Sequence, residues 1–248
     1  MKSIVVANWK MNPATMREAK QLFEATRKVA DSIKSVSVIV APPSIFLREL
    51  TSTYKGKKVS FAAQNAHFHT NGAYTGEISM LQVKDAKASA VLIGHAERRL
   101  VGETNEETRQ KVNAALAAKL TPILCVGETK RTHAGEHFTF IKEQLRTALA
   151  DVTPGHLTKI LIAYEPVWAI GATQAMVPRD MHEMAIFIRK SIVEMHGDKG
   201  RTMKILYGGS VDSTNASDMV EHGDVQGLLV GRASTEAEKF AILLKSLS

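Results

Sequence analysis

The chain has 248 residues, 44% hydrophobic and 23% charged, with a formal net charge of +7; these proportions allow a substantial buried core and exclude a disordered chain. Cys125 is the only cysteine, which excludes an intrachain disulfide and a cysteine-based zinc site. The charge is spread among acids along segments such as residues 17–34 rather than gathered in blocks, so it reads as solvated helix faces with a mild attraction for phosphate esters, and no nucleic-acid partner is expected.

Residues 1–12 hold one short apolar strand without the long apolar core of a signal peptide, and no apolar run approaches membrane-spanning length. The expectation is a cytoplasmic protein with no membrane partner. In chain order, short runs rich in β-branched and large apolar residues occupy 3–7, 37–41, 59–63, 90–93, 121–126, 159–163, 204–207 and 227–230. They lack strict alternation of apolar and polar residues, so they read as strands buried on both faces. Between them lie segments with helical apolar spacing, such as Ala19, Leu22, Phe23 and Ala30 in the first and Met184, Phe187, Ile188 and Ile192 in the sixth. Asn105, with Glu106 and Thr108, marks the opening of a helix ending near Lys119. Pro178 sits at the start of the sixth helix, and Gly197 follows its end.

Strand then helix, eight times, predicts a parallel sheet with right-handed crossovers that closes on itself: an α/β fold, a (β/α)8 barrel, with residues 1–248 as a single domain. A doubly wound open sheet is the competing architecture, but Asn8, Trp9 and Lys10 follow the first strand where its glycine fingerprint belongs.

In such a barrel the reacting groups lie at the carboxyl ends of the strands. There the chain places Asn8 and Lys10, Gln64 and Asn65, then His95, Glu97 and Arg98, then Cys125 and Glu128. Tyr164 and Glu165 follow on the sixth strand, Gly208, Gly209 and Ser210 on the seventh, and Gly231 and Arg232 on the eighth. Glycine turns on the last two strands let backbone N–H groups approach a phosphate, with Ser210 and Gly231 read as opening onto helix amino termini. The apolar run from Pro166 to Ile170 is expected to shield Glu165 and so raise its pKa. Singly, Glu165 reads as a salt-bridge partner, His95 as a core imidazole and Lys10 as a solvated charge. Together they supply the base, electrophile and cation that an enolisation beside a carbonyl requires.

Along almost its whole length the chain resembles the triosephosphate isomerase family. The resemblance is carried by Ala7-Asn8-Trp9-Lys10-Met11-Asn12, Ala63-Gln64-Asn65, Tyr74-Thr75-Gly76-Glu77, Gly94-His95, Glu97-Arg98-Arg99, Cys125-Val126-Gly127-Glu128, residues 163–171, Tyr207-Gly208-Gly209-Ser210-Val211 and Leu229-Val230-Gly231. It implies a TIM barrel that interconverts dihydroxyacetone phosphate and D-glyceraldehyde 3-phosphate through an enediolate, with no cofactor and no metal. It implies Glu165 as base, His95 polarising the carbonyl, and Lys10, supported by Asn8, stabilising negative charge. Glu97 is implied as a buried partner of Lys10. The backbone around Gly171, Ser210, Gly231 and Arg232 is implied to bind the phosphate, Ile170 and Leu229 to clamp over Glu165, and residues 166–176 to close as a lid.

The chain departs from the family's usual pattern at Ala96 (usually serine), at Ala172, Thr173 and Gln174 in the lid, at Arg232 (usually glycine) and at Thr235 (usually leucine). Losing the hydroxyl at residue 96 is expected to cost about 0.5–1.5 kcal/mol of positioning without abolishing chemistry. Isomerisation of a tetrulose phosphate, or phosphate-ligand binding without turnover, are the alternative readings. The loop 65–76 is implied to enter a second subunit, giving a homodimer. His67 and His69 read as exposed histidines rather than metal ligands, the Asn215-Ala216-Ser217 acceptor as inert, and Cys125 as a small buried residue.

Overall fold

The structure, a computed structural model, describes residues 2–131, 134–169 and 175–248. Eight parallel strands, β1 (Ser3–Asn8), β2 (Val36–Ala41), β3 (Val59–Ala63), β4 (Ala90–Ile93), β5 (Thr121–Val126), β6 (Leu161–Tyr164), β7 (Lys204–Tyr207) and β8 (Gly227–Val230), close in sequence order. Closure is made by β1 and β8, in register from Ile4↔Gly227 to Ala7↔Val230. The fold is a single-domain (β/α)8 barrel.

Helices cover its outside: α1 (Met16–Ser32), α2 (Ser44–Thr53), α3 (Met80–Asp85), α4 (Ala96–Leu100), α5 (Asn105–Ala117), α6 (Glu136–Ala148), α7 (Pro154–Leu157), α8 (Pro178–His196), α9 (Ala216–His222) and α10 (Ala237–Ser246). Alternation along each strand divides the apolar residues into two layers. Val6, Ala41, Ala62, Leu92, Ile123, Ala163, Leu206 and Leu229 fill the barrel. Val5, Val38, Phe61, Val91, Leu124, Ile162, Ile205 and Leu228 face the helices. Of the predicted helix stripes, Ala19, Leu22, Phe23 and Ala30 are buried on α1, and Met184, Ile188 and Ile192 on α8, while Phe187 packs at the layer's edge.

Two local readings need correction. Strand β6 runs Leu161–Tyr164 rather than over 159–163, because α7 is followed by a turn in which the Ile160 N–H donates to Leu157 O, leaving Lys159 exposed ahead of the sheet. That shift sets Glu165 directly on the strand's end. Helix α5 does open at Asn105, but its cap is Thr104: the Thr104 hydroxyl accepts from Glu107 N–H while the Glu107 carboxylate accepts from Thr104 N–H. This reciprocal box satisfies two otherwise unpaired donors. Pro178 and Gly197 do stand at the first turn and carboxyl cap of α8, Gly197 with φ of 72°.

Candidate active site

The carboxyl ends of the strands surround a cavity of about 500 Å³ whose lining includes Asn8, Lys10, His95, Glu165, Ser210, Leu229, Gly231 and Arg232. Thus eight expected site residues meet at one mouth. Gly171 and Ile170, and the lid positions Ala172, Thr173 and Gln174, lie outside the described residues.

Lys10 is held in the left-handed region, with φ of 53°, which is costly for a residue with a Cβ. Both sides of its backbone are tied: its N–H donates to Asn8 Oδ1 at 3.0 Å, and its carbonyl accepts from Gln64 Nε2 at 2.7 Å. The same Gln64 amide donates to Ala41 O at 2.8 Å, joining the ends of β1, β2 and β3. Lys10 Nζ contacts Glu97 Oε1 at 2.6 Å. The expected pairing is therefore present, but Glu97 is not buried; 55% of its side chain is exposed, because α4 begins at the barrel rim and turns residue 97 outward.

His95 is the amino-terminal cap of α4, and its Nδ1 accepts from Glu97 N–H at 3.2 Å. A ring that accepts at Nδ1 carries its proton on Nε2. Nε2 lies 3.0 Å from Glu165 Oε1 and 3.2 Å from the Asn8 amide nitrogen. Only the carboxylate can accept that proton, so the hydrogen bond runs from His95 to Glu165 and the Asn8 amide is a close neighbour.

Glu165 is buried, and burial raises its pKa; His95, the Ala96 N–H, Lys10 and Cys125 act in the opposite direction. The strand ends contribute to this burial in addition to the run after Pro166. A Cβ on Gly208 would lie 2.9 Å from Glu165 Cγ, and one on Gly127 would lie 1.7 Å from Glu165 O, so both glycines admit the residue. The second carboxylate oxygen accepts from Ala96 N–H at 2.9 Å. Ala96 has no hydroxyl to hold Glu165, yet its backbone supplies a tether.

At the turn after β7, Gly209 is required because a Cβ there would meet the Tyr207 hydroxyl at 2.2 Å. The reading of Ser210 as the opening of a helix is not met: α9 starts only at Ala216, and Asn215 Nδ2 donates back to Ser210 O at 3.2 Å across the intervening turn. Gly231 does lead directly into a short 3-10 turn, Arg232–Thr235. Leu229 is buried and lines the cavity beside Gly208.

A supporting layer of charged residues beneath His95 went unread in the sequence. Arg99 donates to Gly94 O at 2.8 Å, Asn105 Oδ1 at 2.7 Å and Cys125 O at 3.3 Å, tying β4, β5 and α5 together; burial lowers its pKa. Glu103 accepts from Gly94 N–H at 3.0 Å and pairs with Lys111, which donates to Asn65 Oδ1 at 2.9 Å. Lys111 shares the buried face of α5 with Thr108, Val112 and Ala115. A lysine at that helical spacing was the available signal. Glu128 is likewise buried, and its Oε1 accepts from Trp168 Nε1, the Tyr164 hydroxyl and Arg131 Nε at 2.8–3.0 Å.

Among the described residues no group of three or more His, Cys, Asp or Glu converges on a metal position. His67 and His69 stack on each other and on Tyr74, with ring centroids 4.3–5.2 Å apart. Cys125 is free and buried, and burial raises its pKa well above the ordinary thiol value. The mouth thus combines a desolvated carboxylate, an imidazole N–H and a cation beside glycine-bordered turns.

A family model described as Triosephosphate isomerase matches residues 3–247. Among curated relatives bearing that name, the protein of Endomicrobium trichonymphae is 42% identical over 246 residues, spanning 98% of each chain. That of Roseiflexus sp. (strain RS-1) is 41% identical over 240 residues, 96% of this chain and 94% of its own. That of Aquifex aeolicus (strain VF5) is 39% identical over 248 residues, 99% of this chain and 100% of its own.

Proposed function

The chain belongs to the triosephosphate isomerase family, and from that premise we propose that its mouth interconverts dihydroxyacetone phosphate and D-glyceraldehyde 3-phosphate with Glu165 as the base. The observation that carries this reading is the meeting of base and electrophile, Glu165 Oε1 and His95 Nε2, 3.0 Å apart in the cavity that Lys10 also lines. Substrate enters between them. Glu165 leaves the His95 and Ala96 donors and takes the proton from the carbon beside the carbonyl; His95 Nε2–H and Lys10 Nζ bear on the oxygens where charge develops. The same carboxyl returns the proton to the neighbouring carbon while the hydroxyl proton passes from one oxygen to the other by way of His95 Nε2, so no atoms are gained or lost and no cofactor enters. Asn8 holds the Lys10 backbone, and the turns at Ser210, Gly231 and Arg232, with Gly171, take the phosphate. Leu229 and Ile170 flank the base, and Glu97 keeps Lys10 oriented.

Residues 1–248 are proposed as one domain acting as a homodimer. Met11, Ile45, Leu81, Leu100 and Val101 are exposed on the segments that follow β1 to β4, and the loop 65–76 belongs to the third of these segments. Apolar exposure on the segments after four consecutive strands supports burial there by a second copy. A cytoplasmic location is proposed alongside; among the described residues no helix is long and apolar enough to cross a membrane.

The test is conversion of D-glyceraldehyde 3-phosphate in a coupled assay, comparing the protein with Glu165→Gln and offering a tetrulose phosphate in parallel. Turnover of the triose, reduced at least about 10²-fold in the variant, is expected. Preference for the tetrulose, or saturable binding without turnover, would replace this reading; the family relationship favours neither.

A further inference from the structure

The charged side chains around the cavity are almost all engaged with one another. Lys10 pairs with Glu97, His95 with Glu165, and Lys239 with Glu236 at 2.6 Å. Asp212 accepts from the Thr214 backbone at 2.8 Å and from its hydroxyl at 2.6 Å. Arg232 lines the same cavity, and among the described residues its guanidinium has neither an ion pair nor a hydrogen bond. It is also well placed. Arg232 follows Gly231, where a Cβ would stand 3.2 Å from Lys10 Cε. Its 3-10 turn is fixed by the Ser234 hydroxyl donating to Gly231 O at 2.7 Å and the Thr235 hydroxyl to Arg232 O at 2.9 Å.

We infer that the Arg232 guanidinium is a specificity-determining group that folds over the phosphate end of the substrate and selects a phosphate dianion. A guanidinium stays charged at any working pH and presents a planar fork of donors that matches two phosphate oxygens. The cavity's own acids are occupied, so its charge is open to a ligand. The phosphate keeps its charge while the proton moves between carbons that lie several bonds away from it. Arg232 therefore binds ground state and transition state alike, and its effect falls on KM rather than kcat. The same fork makes inorganic phosphate an effective competitor. This inference rests on the proposed reading of the mouth as a triose phosphate site.

The experiment measures KM and kcat for D-glyceraldehyde 3-phosphate, and the inhibition constant of inorganic phosphate, in the wild type, Arg232→Gln and Arg232→Lys. In Arg232→Gln both KM and the inhibition constant are expected to rise about tenfold with kcat within about twofold, and Arg232→Lys is expected to lie between. Unchanged KM and inhibition in Arg232→Gln would overturn the inference. So would a fall in kcat alone, which would place the guanidinium in the chemical step. If the wild type shows no isomerase activity, the proposed function fails on its own. Calorimetric titration with inorganic phosphate then still decides the role of Arg232: binding about tenfold weaker in Arg232→Gln upholds it, and equal binding overturns it.

Discussion

As the proposed base, Glu165 carries a conflict between folding and function that can be measured from both sides. Burial holds its folded-state pKa above the ordinary 4.5, so the folded protein binds that proton more tightly than the unfolded chain does. Stability is therefore lost as pH rises from the ordinary carboxylate value through the raised one, and the penalty is fully present above it. Glu165→Gln is expected to be more stable than the wild type at pH 8, with the gain shrinking toward pH 4 in thermal melts. The base must be ionised to act, so kcat/KM is expected to fall as pH drops through the raised pKa rather than at the usual carboxylate value. Residue 96 offers a finer test. Its backbone N–H already holds the Glu165 carboxylate at 2.9 Å, and a hydroxyl would supply one further hydrogen bond. Ala96→Ser is expected to change kcat by no more than about tenfold, the size of one net hydrogen bond.

Where two strand ends meet, small residues and one arginine set the geometry. Gly127 lets β5 and β6 approach so closely that a Cβ would stand 1.7 Å from Glu165 O. Gly127→Ala must push that carbonyl away, costing about 3 kcal/mol or more and displacing the base, which denaturant titration and residual activity would both register. Arg99 acts across elements in the same region through its bonds to Gly94 O, Asn105 Oδ1 and Cys125 O. Arg99→Met is expected to lose about 2–4 kcal/mol, because those buried acceptors would be left without donors. Neither role is local in sequence. Arg99 was visible only as part of a matching motif, whereas its partners belong to β4, β5 and α5.

For the whole molecule, the proposed dimer gives the decisive measurement. Leu100→Glu places a charge on the exposed apolar surface that follows β4 and is expected to shift the protein to monomers in sedimentation velocity at micromolar concentration, with a Tm that no longer depends on concentration. An unchanged sedimentation coefficient would move the interface elsewhere. The order and number of strands were legible in the chain because a parallel barrel buries each strand on both faces, which demands the repeated apolar runs that were read, with boundaries missed by a residue or two where turns such as Ile160 N–H to Leu157 O intervene. Lys10, His95 and Glu165 were legible for a related reason: polar residues directly after buried strands have one end of the barrel as their destination. Tertiary structure alone decided how those residues touch. It set the direction of the His95–Glu165 hydrogen bond, exposed Glu97, moved the α9 amino terminus away from Ser210, and, among the described residues, left the Arg232 guanidinium without a partner. Strand pattern follows from burial, a property each residue has along the chain, whereas pairing depends on distances between segments that the chain order does not contain.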